Sequence, residues 1–171
     1  MDRLAASIRD IADFPKPGIL FKDLTPVMRD PALLREVTLA LAAPFRDERV
    51  NAVLGMEARG FIFGSLVAAE LGAGFIPLRK PGKLPYTTHK VSYDLEYGSA
   101  ALEMHEDALG PDDRVLLVDD LIATGGTAAA SLRLAARTGA HVVGAAFVVE
   151  LDFLGGRQAL GDCRIHSLVH F

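Results

Sequence analysis

Cysteine is nearly absent from this chain. Its 171 residues include one, Cys163, which excludes an internal disulfide and cannot build a cysteine-based zinc site alone. It reads as a packed thiol. Net positive charge is missing too: the formal charge is −4 with a pI near 5.7, the wrong balance for a basic face that grips nucleic acid. No stretch reaches the ~18 apolar residues of a membrane span. The opening Met-Asp-Arg-Leu-Ala-Ala-Ser is too polar for a secretory signal, so a soluble cytoplasmic protein is expected. Internal repeats and low-complexity linkers are lacking. The five histidines show no ligand spacing. Two common nucleotide motifs also fail: no G-x-G-x-x-G follows a strand, and Gly82-Lys83 runs into Leu84 where a P-loop needs Ser or Thr.

What is present is a chain that is 50% hydrophobic, enough for one domain, 1–171, with a real core and little room for a second. Asp30-Pro31 is a helix start, with Leu34, Val37, Leu41 and Phe45 following at helical spacing. A strand at 52–55, a helix at 60–71, a strand at 74–78, a strand at 115–118, a helix at 127–137 and a strand at 142–149 come after it. In the 127–137 helix, Ala128, Leu132 and Ala135 face inward. This alternation predicts an α/β fold, a mostly parallel central sheet covered by helices on both faces. Two segments break the pattern. Residues 1–25 crowd Pro15, Pro17 and Gly18 together, which forbids a regular helix and predicts a turn-rich flap. Residues 79–99 are long, polar and rich in Lys, Pro, Gly and Thr, which reads as a mobile lid.

The densest chemistry lies at 115–127, Val-Leu-Leu-Val-Asp-Asp-Leu-Ile-Ala-Thr-Gly-Gly-Thr. Val115, Leu116, Leu117 and Val118 do not alternate, as expected of a central parallel strand buried on both faces. Ligands in open α/β sheets bind beyond the carboxyl ends of such strands. Thr124, Gly125, Gly126 and Thr127 offer unobstructed backbone N–H groups, two hydroxyls and the positive end of the next helix, which suits a phosphate. Asp119 and Asp120 would repel a phosphate held against them but accept hydrogen bonds from sugar hydroxyls. Together they point to a ribose phosphate.

This segment resembles the phosphoribosyl-diphosphate (PRPP) signature of the type I phosphoribosyltransferases. Three further segments, in the right order along nearly the whole chain, are similar to the adenine-specific members. They are Phe14-Pro15-Lys16-Pro17-Gly18-Ile19-Leu20-Phe21-Lys22-Asp23, then Glu57-Ala58-Arg59-Gly60-Phe61, then Arg79-Lys80-Pro81-Gly82-Lys83-Leu84-Pro85 with Tyr93-Asp94-Leu95-Glu96-Tyr97-Gly98.

The resemblance implies a type I phosphoribosyltransferase fold with an N-terminal hood at about 1–25 and a lid at about 79–99. It implies transfer from PRPP to adenine, giving AMP and diphosphate, in purine salvage. Asp119, Asp120, Ala123, Thr124, Gly125, Gly126 and Thr127 would hold the ribose phosphate. Arg59, Arg79, Lys80 and Lys83 would hold the diphosphate. Phe21 would lie on the purine face and the Leu20 backbone on its edge, with Arg59 nearby. Glu96 and Tyr97 are the candidates for proton transfer, brought over the site by lid closure. Mg²⁺ would be held mainly by PRPP and water, with no direct protein ligand. A homodimer is implied, because the lid's basic residues can serve the neighbouring subunit, as is a non-proline cis peptide within Glu57-Ala58-Arg59. Ala123 stands where enzymes for 6-oxopurines usually carry aspartate, which favours adenine. Tyr86 departs from bacterial relatives, which often have arginine there. A regulator that keeps this fold but binds DNA would need a basic surface or an added module, and the acidic chain has no room for either.

Overall fold

The structure, a computed structural model, describes residues 1–94 and 99–171. Five strands form its centre: β3 (Ala52–Met56), β4 (Gly74–Leu78), β7 (Arg114–Ile122), β8 (His141–Glu150) and β9 (Ile165–His170). They are ordered β4-β3-β7-β8-β9, with every neighbouring pair parallel. The non-alternating strand therefore sits in the middle.

Neighbouring residues of a strand face opposite sides of its sheet, and the core divides accordingly. On one face Val53, Leu116, Val118, Ala146 and Val148 pack with α3 (Pro31–Ala42) and α4 (Gly60–Leu71) through Leu33, Val37, Leu41, Phe63 and Val67. On the other, Leu54, Met56, Val115, Leu117 and Phe147 meet Ala128, Ala130 and Leu134 of α5 (Gly126–Arg137). Each fully buried side chain of this size contributes about 1.5–3 kcal/mol. The sheet is thereby fixed from both sides, and the carboxyl ends of β3 and β7 stay together. α3 starts where its sequence says: the Asp30 carboxylate accepts from the N–H groups of Ala32 and Leu33 at 3.0 and 3.1 Å. Leu33, not Leu34, is its first buried side chain, and Phe45 is buried just beyond the helix in a 3₁₀ turn, Ala43–Glu48.

Three features differ from expectation. The flap is more regular than its prolines suggest, with a helix α1 (Asp2–Ser7) and an antiparallel hairpin of β1 (Arg9–Ala12) and β2 (Leu20–Asp23). Pro15, Pro17 and Gly18 occupy only the hairpin's tip, where Gly18 takes φ +86°. The lid is partly a ribbon, β5 (Thr88–Asp94) paired antiparallel with β6 (Ser99–His105). Its Val91, Leu102 and Met104 are buried in the same cluster as α5. α2 (Thr25–Arg29), the edge strand β9 and two 3₁₀ turns, Asp152–Leu154 and Gly156–Leu160, were also left unmarked by the sequence pattern. Among the described residues no helix is long and apolar enough to cross a membrane.

Candidate active site

The carboxyl ends of β3 and β7 carry the site. After β3 the chain turns through Glu57, Ala58 and Arg59 into α4, and the Glu57–Ala58 peptide is cis. α4 opens on Gly60, where a Cβ would lie 2.6 Å from Asp119 Oδ1. The missing side chain lets the two strand ends close on each other.

Arg59 crosses that junction. Its Nε donates a very short hydrogen bond to Asp120 Oδ2, and its guanidinium lies 5.0 Å from the centroid of the Phe21 ring. Phe14 meets Phe21 edge-on at 5.1 Å. One cation thus touches the hood aromatic and a buried strand-end acid at once, as a planar guanidinium can. Arg59 was expected both among the diphosphate ligands and near the base; its side chain runs to Phe21 of the hood and to Asp120.

Asp120 is buried, whereas Asp119 is half-buried and fronts the open space. The Asp119 Oδ1 accepts from the Asp120 N–H at 2.8 Å. Burial raises the Asp119 carboxyl well above its usual range, and the neighbouring Asp120 charge pushes it the same way.

β7 then delivers the chain to a loop at 123–126. Gly125, at φ +79°, is the N-cap of α5 and supplies no capping side chain. The first N–H groups of α5 thus have no capping side chain to accept from them. Asp119, Ala123, Thr124, Gly125, Gly126 and Thr127 line a hollow of about 110 Å³. A second hollow, about 360 Å³, adjoins it through Asp119 and Thr127 and is bounded by Glu57, Arg59 and Asp120. A third, about 640 Å³, continues from Glu57 and Thr127 to Lys80, Lys90 and Tyr93 at the lid root.

Gly156 was not marked by the sequence. A Cβ on Gly125 would stand 2.3 Å from the Gly156 carbonyl oxygen, and a Cβ on Gly156 would stand 2.1 Å from that of Ala123. The segment after β8 therefore braces the loop from behind. A Gly155-Gly156 pair was the only local signal, and it does not name its partner 31 residues away.

At the lid root, Arg79 donates to both oxygens of Glu57, at 2.9 and 3.3 Å, and to the Lys83 carbonyl at 3.0 Å. Glu57 also accepts from the Lys80 N–H at 3.2 Å. The hydrogen bonds from Arg79 hold the Glu57 carboxyl below its usual range despite partial burial. Arg79 is thus engaged with an acid, while Lys80 and Lys83 are exposed. Leu20 is exposed on the hood, and Tyr86 extends into solvent with its ring edge-on to His105. Glu96 and Tyr97 lie outside the described residues.

Among the described residues, one group of three side chains has metal-ligand spacing, Glu150, Asp152 and His170. Its donors are already used. Glu150 accepts from Arg157 at 2.9 and 2.7 Å and from Ser167 at 2.6 Å, and the Asp152 carboxylate lies 2.9 Å from His170 Nδ1. At the active site Asp120 is paired with Arg59, and Asp119 is the remaining strand-end acid. That donor set fits a hard cation carried mainly by ligand oxygens and water, not one caged by protein.

A strand-end pair of acids, a small-residue loop on a helix N-terminus, a hood and a lid define a phosphoribosyltransferase, and residues 27–158 match the family described as the phosphoribosyl transferase domain. The similarity to adenine-specific members is closer still. An adenine phosphoribosyltransferase of Methylococcus capsulatus is 64% identical over 171 residues, covering 100% of both chains. The crystal structure of the Rhodothermus marinus adenine phosphoribosyltransferase superposes with a TM-score of 0.95 at 51% identity, covering 99% of this chain and 97% of that one. The Saccharomyces cerevisiae enzyme, crystallised with adenine and D-2,5-dideoxy-2,5-imino-altritol 1,6-bisphosphate, gives 0.93 at 39%, covering 98% and 97%. This chain belongs to the adenine phosphoribosyltransferases.

Proposed function

We propose that the three adjoining hollows bind PRPP and that the hood holds adenine above them, so that the chain forms AMP and diphosphate for purine salvage. The carrying observation is Arg59, which joins the hood aromatic to the strand-end acids. A base stacked at Phe21 and a ribose held at Asp119 and Asp120 would be neighbours, as attack at the anomeric carbon requires.

In this reading the N–H groups at the start of α5, with Thr124 and Thr127, hold the 5-phosphate beside Ala123, Gly125 and Gly126. Asp119 and Asp120 accept from the ribose hydroxyls and fix the sugar's orientation. Purine N9 bonds to the anomeric carbon as its bond to the diphosphate oxygen breaks, through an oxocarbenium-like transition state. The N9 proton leaves to a base, for which Glu96 with Tyr97 is our candidate. Lys80, Lys83 and Arg79 receive the departing charge, Arg79 by exchanging Glu57 for diphosphate; each such contact is worth about 1.5–3 kcal/mol once water is excluded. Mg²⁺ entering with PRPP would shield the diphosphate charge, with Asp119 our candidate to hold a water of its shell. The Leu20 backbone, flanking Phe21, would read the purine edge. A wrong donor pattern there leaves buried groups unpaired at about 1–3 kcal/mol each. We further propose one domain over 1–171, a homodimer whose lids reach the neighbouring site, and a cytoplasmic setting.

The test is turnover of purified protein with Mg²⁺ and PRPP against adenine, hypoxanthine, guanine and xanthine separately. AMP from adenine alone is expected, with at least a hundredfold loss of kcat/KM in an Asp119→Ala/Asp120→Ala variant. Turnover of a 6-oxopurine would overturn the Ala123 argument, and PRPP binding without turnover would make the protein a sensor. Sedimentation checks the dimer.

A further inference from the structure

Thr127 has a neighbour that the transfer reaction does not use. The Tyr93 phenol oxygen, on β5 of the lid ribbon, lies 3.2 Å from Thr127 Oγ1 at the start of α5. β5 runs beside α5 and is held at the helix's other end, where Arg137 donates to the Lys90 carbonyl at 2.6 Å. Val91, between those two tethers, is buried, and Tyr93 packs against the same cluster. Tyr93 is therefore presented by a fixed strand, and it lines the hollow that also contains Thr127.

We propose that Tyr93 is a positioning residue for the 5-phosphate: it donates to Thr127 Oγ1 and thereby aims the threonine proton at the anion. This rests on the reading of the 123–127 loop as the phosphate site. A threonine hydroxyl has one proton and two lone pairs, and a phenol can donate or accept. A phosphate dianion only accepts. If Thr127 gave its proton to Tyr93, it would turn lone pairs toward the phosphate. With the phenol as donor the chain runs from tyrosine to threonine to phosphate in one direction. Each link polarises the next.

Tyr93→Phe keeps the ring's packing and removes only the phenol oxygen. Calorimetric titration with ribose 5-phosphate is expected to show about threefold to tenfold weaker binding, with inorganic diphosphate bound as before. In turnover, the KM for PRPP rises by a similar factor, while kcat and the KM for adenine change less than twofold. Thr127→Val supplies the control. In that background Tyr93→Phe has no further effect on ribose 5-phosphate affinity, because the two residues act as one unit. Additive losses in the double variant would overturn the proposal, as would equal weakening of diphosphate, or a lowered melting temperature with unchanged ribose 5-phosphate affinity. Wild-type protein that binds no ribose 5-phosphate would remove the phosphate reading itself, and Tyr93's role with it.

Discussion

At the scale of the residue, Asp119 shows function working against stability. Burial and the charge on Asp120 raise its carboxyl above the value of about 3.8 it has in an unfolded chain. Between that value and the folded one the native state holds the extra proton, so the contribution to stability falls as pH rises and stays unfavourable above. Asp119→Asn should therefore melt about 2–4 °C higher at pH 7. The gain should vanish as pH drops below 4, and PRPP turnover should be lost; thermal melts across pH 3–8 check it. The pair Asp119-Asp120 was plain in the sequence because chemistry and chain direction coincide there: an apolar run stops, two acids follow, and a helix begins. Arg59 was legible as a site residue near Phe21, but its pairing with Asp120, 61 residues on, was not, since only the assembled fold brings the two together. Arg79 is a similar case: its charge marked it, and nothing local announced that Glu57, 22 residues earlier, would hold it.

Among the elements, those with one strong period could be read directly. β3, β4, β8, α4 and α5 each lie within two residues of where their patterns put them, whereas β7 starts one residue early and runs four residues further, through Asp119 and Asp120 to Ile122. β5 and β6 escaped because each buries only part of one face, and because Pro81, Gly82 and Pro85 just before them dominate the local signal. α1 escaped because six residues give no period to recognise. The 123–126 loop, our proposed phosphate site, depends on a contact of this unreadable kind, the backbone of Gly156 against Ala123 and Gly125. Gly156→Ala, which puts a methyl group where the Ala123 carbonyl stands, should destabilise the fold by about 1–3 kcal/mol. It should also raise the KM for PRPP several-fold with the KM for adenine little changed. Denaturant melts beside steady-state kinetics would show both, and an unchanged PRPP KM would separate the brace from the loop.

For the whole molecule, the β8–β9 edge of the sheet is closed by Glu150, which ties the end of β8 to Arg157 and to Ser167 of β9. Burial alone would raise its carboxyl, but hydrogen bonds from Arg157 and Ser167 outweigh that and hold it low. Its stabilisation is full above the ordinary value of about 4.5 and is lost as pH falls through the lower folded value. Glu150→Gln should cost about 1–3 kcal/mol at pH 7, discounted because Arg157 is half exposed. The difference from wild type should shrink steadily in acid, as urea melts at pH 7 and pH 3 would reveal. The same interdependence sets a limit on redesign of the hood. Because a single guanidinium is shared between the hood and Asp120, the base and sugar halves of the proposed specificity are not modular. A hood rebuilt to welcome a different base would bring an altered sugar affinity with it, and selection for one trait would drag the other along.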